Sequence, residues 1–201
     1  MLRVPPNPER KTSPVRPFAH SWSKDGRFAL YHTGSLGGVW SVPVSGDGDP
    51  RPVVQDVGLV DQARFSPDGR WVAYNGDETG RMEVFVVPFP PTGERWQVST
   101  AGGVQPLWRG DGRELFYLEP NGDLMSVDVK AARTFVVGPP RVLFRTGLGN
   151  PSSLVEEYGV TADGQRFLLR LPAPGSRPPE LKLVLDWPAL LERSSGDGGG
   201  Q

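Results

Sequence analysis

The sequence predicts an all-β chain of the β-propeller class: about four four-stranded blades, partial or open, after an N-terminal remnant strand of a preceding blade. Three observations carry that prediction. An Asp-Gly turn recurs at Asp25-Gly26, Asp68-Gly69, Asp111-Gly112 and Asp163-Gly164, at spacings of 43, 43 and 52 residues. The apolar segments on both sides of the turn recur in register with it. The 26 Gly and 22 Pro sit among nineteen aromatics in 201 residues, a composition of turns between packed strands rather than of disorder. A period near 43 matches the roughly 40–45 residues of a four-stranded blade.

The turns justify themselves chemically. In "FSPDGRWVAY" (Phe65 to Tyr74), Pro67 presets φ at the first central position of the turn. The glycine takes a left-handed conformation that any side chain makes costly. Lys24, Gly110 and Ala162 replace Pro67 in the other copies, where the backbone is right-handed and tolerant. The aspartate is placed to accept from nearby backbone amides. Five residues after each glycine stand Tyr31, Tyr74, Tyr117 and Leu169; three before stand Ser23, Ser66, Arg109 and Thr161.

The strands follow in order. "MLRVPP" aligns with "VWSVPV" and "VFVVPF" through Val4-Pro5, so residues 1–18 are expected to be the remnant of a preceding blade. Blades are expected over residues 19–191. In each, the strand after the turn ("RWVAY", "ELFYL") is apolar at nearly every position, as a strand between two neighbouring sheets must be. The next strand reads "VWSVPV", "VFVVPF", "LMSVDV" and "LKLVLDW", and the closing strand "PRPVV", "RWQVS" and "PRVLF". The Pro-rich loop before "LKLVLDW" is expected to absorb part of the longer spacing, with a short helix around Pro188 to Glu192. Residues 192–201, "ERSSGDGGGQ", are expected to be a disordered tail.

With these motifs the chain resembles the WD40-like, TolB-type propellers that carry a Ser-Pro-Asp-Gly repeat. "FSPDGRWVAY", "EVFVVPFP", "QVSTAGGVQPLWRGDGRELFYL", "YGVTADGQRFLL" and "LVLDW" further resemble the C-terminal propeller of bacterial membrane Ser/Thr protein kinases, over roughly residues 16–191. That resemblance implies a recognition or sensing module, with the kinase domain upstream and the propeller outside the cytoplasmic membrane. The alternatives are the propeller of a prolyl-oligopeptidase-like peptidase and a TolB-like envelope scaffold.

The residues predict no enzyme. A kinase needs a phosphate loop, a strand lysine and HRD and DFG motifs, and none occurs; "GSLGGVW" reads as a hairpin tip. No G-x-S-x-G elbow occurs, and His20 and His32 read as ordinary strand-edge residues. With no Cys and two His, metal ligation falls to carboxylates. Asp47 and Asp49 lack calcium-loop spacing and read as a solvated loop, and Glu156 and Glu157 as a charged loop whose side chains point apart. No cofactor is expected. Trp22 and Trp108 occupy matching positions and read as core or channel-lining; Trp40 aligns with Phe85 and Met125 at a packing position, Trp96 lies in a closing strand and Trp187 ends the last strand.

A formal net charge of -1 with no basic run argues against nucleic acid. No apolar run reaches the roughly 18 residues of a membrane span, and no direct membrane insertion is expected. The expected partner is a protein or peptide, bound by the loops near Gly34, Asp77 to Arg81, Asn121 and Leu148 to Glu156. Exposed strand edges would also permit self-association.

Overall fold

Alternating apolar strands joined by tight turns leave each sheet with two faces to bury, and the chain buries them against neighbouring sheets. The computed structural model describes residues 17–34, 37–55, 57–131, 134–171 and 180–184, the last as backbone. Residues 1–16 and 192–201, the proposed short helix and Trp187 lie outside the described residues.

The first sheet is the antiparallel meander β1 (Pro17–Trp22), β2 (Phe28–Thr33), β3 (Val39–Pro43) and β4 (Arg51–Val54). The second is β5 (Val60–Phe65), β6 (Trp71–Gly76), β7 (Glu83–Pro88) and β8 (Trp96–Gln97). The third holds β9 (Val104–Trp108), β10 (Glu114–Leu118) and the long β11 (Asp123–Ala131), on which β12 (Phe135–Val137) and β13 (Arg141–Arg145) both pair. The fourth holds β14 (Tyr158–Val160), β15 (Phe167–Leu171) and β16 (Glu180–Val184). No helix occurs among the described residues. The described residues form an all-β partial propeller.

The longer spacing does not come from the Pro-rich loop before β16, as the sequence suggests, because that loop follows Asp163. The extra residues lie ahead of it, in the β11–β12 hairpin and in the connection from β13 to β14.

The core sits between sheets. Leu30, Val39 and Val54 of the first pack on Phe65, Val72, Tyr74 and Phe85 of the second. Trp71, Ala73, Val84 and Val86 on its other face pack on Leu115, Tyr117 and Met125 of the third. Phe116, Leu118 and Leu143 of the third then pack on Tyr158, Phe167 and Leu169 of the fourth. Successive residues of β6 thus serve opposite interfaces, which is why Trp71 to Tyr74 are apolar without a break. Trp108 is half-buried against the second interface, and Trp40 is half-buried with its Nε1 donating to Gly37 O (2.7 Å). Trp22 corrects the expectation of a core or channel residue. It is 61% exposed, because the face of β1 that carries it has no described sheet beside it, whereas Phe65 in the matching position faces the first sheet.

Where a Ser or Thr stands two residues before the aspartate, the Asp-Gly turn is a small closed network. Ser66 Oγ donates to Asp68 Oδ1 (2.6 Å) and accepts from Trp71 N (3.0 Å), while Arg70 N and Nε donate to the same carboxylate (3.1 and 2.7 Å). Ser23, Asp25, Arg27 and Phe28 repeat this contact for contact. Thr161 and Asp163 repeat its core, and Arg113 N donates to Asp111 (3.0 Å). The Ser23 hydroxyl first, then Arg27, hold the Asp25 carboxyl down at about 2. Gly26, Gly69, Gly112 and Gly164 have φ of 72°, 71°, 73° and 74°. A Cβ at Gly69 would meet nothing within 4 Å, so Gly69→Ala isolates the cost of the left-handed backbone. It is expected to lower stability by about 1–2 kcal/mol in urea unfolding; an unchanged midpoint would refute the strain argument.

Candidate functional site

In an antiparallel meander successive turns alternate ends. The Asp-Gly turns therefore share one end of the sheets. The opposite end gathers the starts of the innermost strands β5, β9 and β14 and the connections at 77–82 and 119–122. A bulge of one extra residue interrupts each of the first three innermost strands there: between Ala19 and Ser21, between Asp61 and Arg64, and opposite Phe116 to Leu118 in β9. Bulges re-aim side chains. At two of them a glutamine adopts left-handed backbone, Gln62 at φ 51° and Gln105 at φ 59°, each six residues before a turn aspartate.

These glutamines link blades. Gln62 Oε1 accepts from Gln105 N (3.0 Å), and Gln105 Oε1 accepts from Glu157 N (2.7 Å). The same bond thus joins matching positions of successive sheets. Gln105 Nε2 donates to Ser152 O (2.8 Å) and Glu157 Oε2 (2.9 Å), and Gln62 Nε2 to Val155 O (3.1 Å), so both also hold the loop before β14. Asn75 Oδ1, fully buried on β6, adds an acceptor for Gln105 N (3.3 Å). Glu156 and Glu157 do take different partners: Glu156 pairs with Arg64, and Glu157 Oε2 also accepts from Ser152 N (2.8 Å).

His20 lies at the bulge of the edge strand β1, whereas His32 is the penultimate residue of β2, between β1 and β3, and is not at a sheet edge; their rings stack with centroids 4.7 Å apart. His20 Nε2 lies 2.6 Å from His32 Nδ1, and each lies 3.7 Å from Asp61 Oδ1 on β5. Phe18 stacks on the other side of His32, centroids 5.0 Å apart. Burial first, then the charges of His32 and Arg64, pushes the His20 pKa down to about 3; burial raises that of Asp61. Arg64 Nη1 donates to His20 O (2.6 Å), tying the two sheets together. Among the described residues this is the cluster able to hold a metal ion. Asp47 and Asp49 are exposed.

Beside the glutamine relay lies a cleft of about 450 Å³, walled by Arg81, Gly103, Pro120, Asn150 and Ser153 among others. The connections at 77–82 and 148–156 thus meet in one cavity. Asn121 instead spends its amide on Asp123 (2.9 Å), and residues 35 and 36 beside Gly34 lie outside the described residues. At the other end a broader cleft of about 680 Å³ runs between the Asp68 and Asp111 turns. What the single sequence does display is a recurring offset: Gln62, Gln105 and Glu157 stand six before Asp68, Asp111 and Asp163, where the first copy has Ala19.

No family model matches the chain, and no curated protein matches it. Solved structures do. A protein from Agrobacterium tumefaciens assigned as TolB is 21% identical with a TM-score of 0.50, over 66% of this chain and 50% of that one. A puromycin-hydrolysing peptidase from Mycobacterium tuberculosis is 18% identical with a TM-score of 0.62, over 85% of this chain and 30% of that one. A chain of a nidogen/laminin complex is 15% identical with a TM-score of 0.56, over 80% and 57%. At such identities the likeness is one of fold, that of β-propellers. The chain spans between about a third and just over half of these proteins.

Proposed function

We propose that this chain is a non-catalytic propeller module that binds a protein or peptide, and that it forms the C-terminal sensing part of a larger bacterial protein of the membrane Ser/Thr kinase type. The observation that carries the binding role is the 450 Å³ cleft, one wall of which, the loop before β14, is braced by the glutamine relay. Its size suits one peptide side chain or a short segment, within the roughly 300–1,000 Å³ of ligand pockets. Next to it the loop before β14 exposes Leu154 (80%) and Val155 (42%), apolar surface that an incoming chain would cover. The cleft lies among connections carried on packed sheets, the division of labour that binding sites favour.

The second reading is the propeller of a prolyl-oligopeptidase-like peptidase, favoured by the likeness to the puromycin-hydrolysing enzyme; a TolB-like scaffold is the third. The coding frame on both sides of the chain separates them. An HRD-bearing kinase upstream supports the sensing role, and a nucleophile-elbow hydrolase downstream overturns it.

The cleft is tested on a random-peptide array. Peptides that the chain retains should lose at least tenfold in affinity to Ser153→Trp, which fills the cavity from an exposed loop. Retained peptides indifferent to Ser153→Trp, or no retained peptide at all, would overturn the assignment of the cleft.

A further inference from the structure

The His20, His32 and Asp61 side chains come from three strands and two sheets, and they converge far more closely than their separation in sequence requires. We propose that His20 Nε2, His32 Nδ1 and Asp61 Oδ1 form a binding site for one divalent transition-metal ion of the zinc class. This site is separate from the peptide cleft, and neither depends on the other.

The geometry argues first. The three donor atoms make a triangle with edges of 2.6, 3.7 and 3.7 Å. These bracket the roughly 3.4 Å edge of a tetrahedron whose metal–ligand bonds are about 2.1 Å. Coordination needs only a small rearrangement, the imidazoles parting and the carboxylate closing in.

Satisfaction argues next. The contact between the imidazole nitrogens uses one N–H and one lone pair. Asp61 Oδ1 lies beyond hydrogen-bond reach of both rings and takes Gln62 N (2.8 Å). With side chains 7%, 10% and 12% exposed, this is an undercompensated carboxylate facing two neutral bases. A cation between them supplies what a hydrogen bond does not. The ring that donates moves its proton to its own far nitrogen, so both coordinating nitrogens present lone pairs and no proton is lost from the pair. Arg64 is a cation whose charge bears on both His20 and Asp61, and Glu156 pairs with it and offsets part of that charge.

The donor set selects the class. Two imidazoles and one carboxylate suit zinc, cobalt, nickel, manganese or iron. Calcium and magnesium require oxygen-rich shells, so they serve as controls. Phe18, stacked on His32, fixes one ring plane in the manner of an outer-shell residue.

His20 and His32 are the chain's two histidines, so the readout is unambiguous. Full-length chain stripped with chelator is titrated with zinc alone and then with cobalt. One ion per chain is expected, a rise in melting midpoint of about 5–10 °C at a hundredfold excess over Kd, and none with magnesium. His20→Gln, His32→Gln and Asp61→Asn should each weaken binding at least tenfold. Long-range ¹⁵N spectra of the unmodified chain guard against variants that fail to fold: one equivalent of zinc should shift His20 Nε2 and His32 Nδ1 together. Unmoved imidazole nitrogens, a stoichiometry far below one, or a folded His20→Gln/His32→Gln variant that binds as well as the parent would overturn the site.

Discussion

Phe116→Ala is expected to destabilise the chain by about 3–5 kcal/mol, the range for a fully buried phenylalanine that leaves a cavity. Phe116 is 0% exposed at the centre of β10. Its ring meets Phe167 edge-on, with centroids 5.2 Å apart and an interplanar angle of 87°, and it packs among Leu118, Leu124, Leu143 and Tyr158. These residues join the third sheet to the fourth, so removal of the ring opens an interface rather than a single sheet's interior. Contacts in a repeat architecture run to nearest neighbours. The damage should therefore be uneven: amides of β14 and β15 should lose hydrogen-exchange protection, while those of β2, on the far side of the second sheet, keep it. Urea unfolding gives the magnitude, and exchange gives its location. Loss of protection spread evenly over all sheets, or a change under about 1 kcal/mol, would contradict the interface. Leu154→Ala, at an exposed loop tip, is the control and should stay within about 0.5 kcal/mol.

That contrast explains what the sequence displays and what it withholds. The propeller is legible because its rules are local and repeated. A turn needs its residues within a few positions of one another, and a strand between two sheets must be apolar on both faces, so "RWVAY" and "ELFYL" advertise their place. The candidate sites obey no local rule. His20 and His32 stand 12 residues apart and Asp61 another 29 beyond, and nothing in those spacings implies contact. They meet because a bulge at His20 turns its ring toward β2 and the second sheet lays β5 alongside. A bulge depends on the register of paired strands, which a single strand's sequence does not state. Trp22 shows the same limit from the other side. Its position in the repeat specifies which face it occupies, while its burial depends on whether a sheet lies against that face. The Gln62–Gln105–Glu157 relay is intermediate: its residues recur at a fixed offset, but its bonds cross between blades.

Glu83→Ala is expected to cost about 3–5 kcal/mol, because it strips the shared acceptor from buried donors that each carry a penalty of about 1–3 kcal/mol when left unpaired, and to disturb the cleft as well. Glu83 opens β7 and is 0% exposed. Its carboxylate accepts from Gly102 N (3.1 and 3.0 Å), from the Ser99 hydroxyl and from Arg81 Nε (2.5 Å). One buried acid thus fastens two connections, 77–82 and 99–103, that wall the cleft. Arg81 also reaches Thr100 O across the same gap. The partners are unequal. The Arg81 side chain is 57% exposed and easily rehydrated, whereas the Glu83 carboxylate it leaves behind stays buried on Gly102 N and Ser99 Oγ, so Arg81→Ala should cost about 1–3 kcal/mol. Gly102 N and Ser99 Oγ are buried donors that water reaches poorly, and their loss of a partner carries the larger penalty. Glu83→Gln keeps the shape but turns an amide NH₂ toward groups that themselves donate, and should fall between the two. The ordering Ala, then Gln, then Arg81→Ala in urea unfolding follows from burial of the donors. If Arg81→Ala proved the costliest of the three, the ion pair to Arg81 rather than the buried amide would be what holds the walls of the cleft.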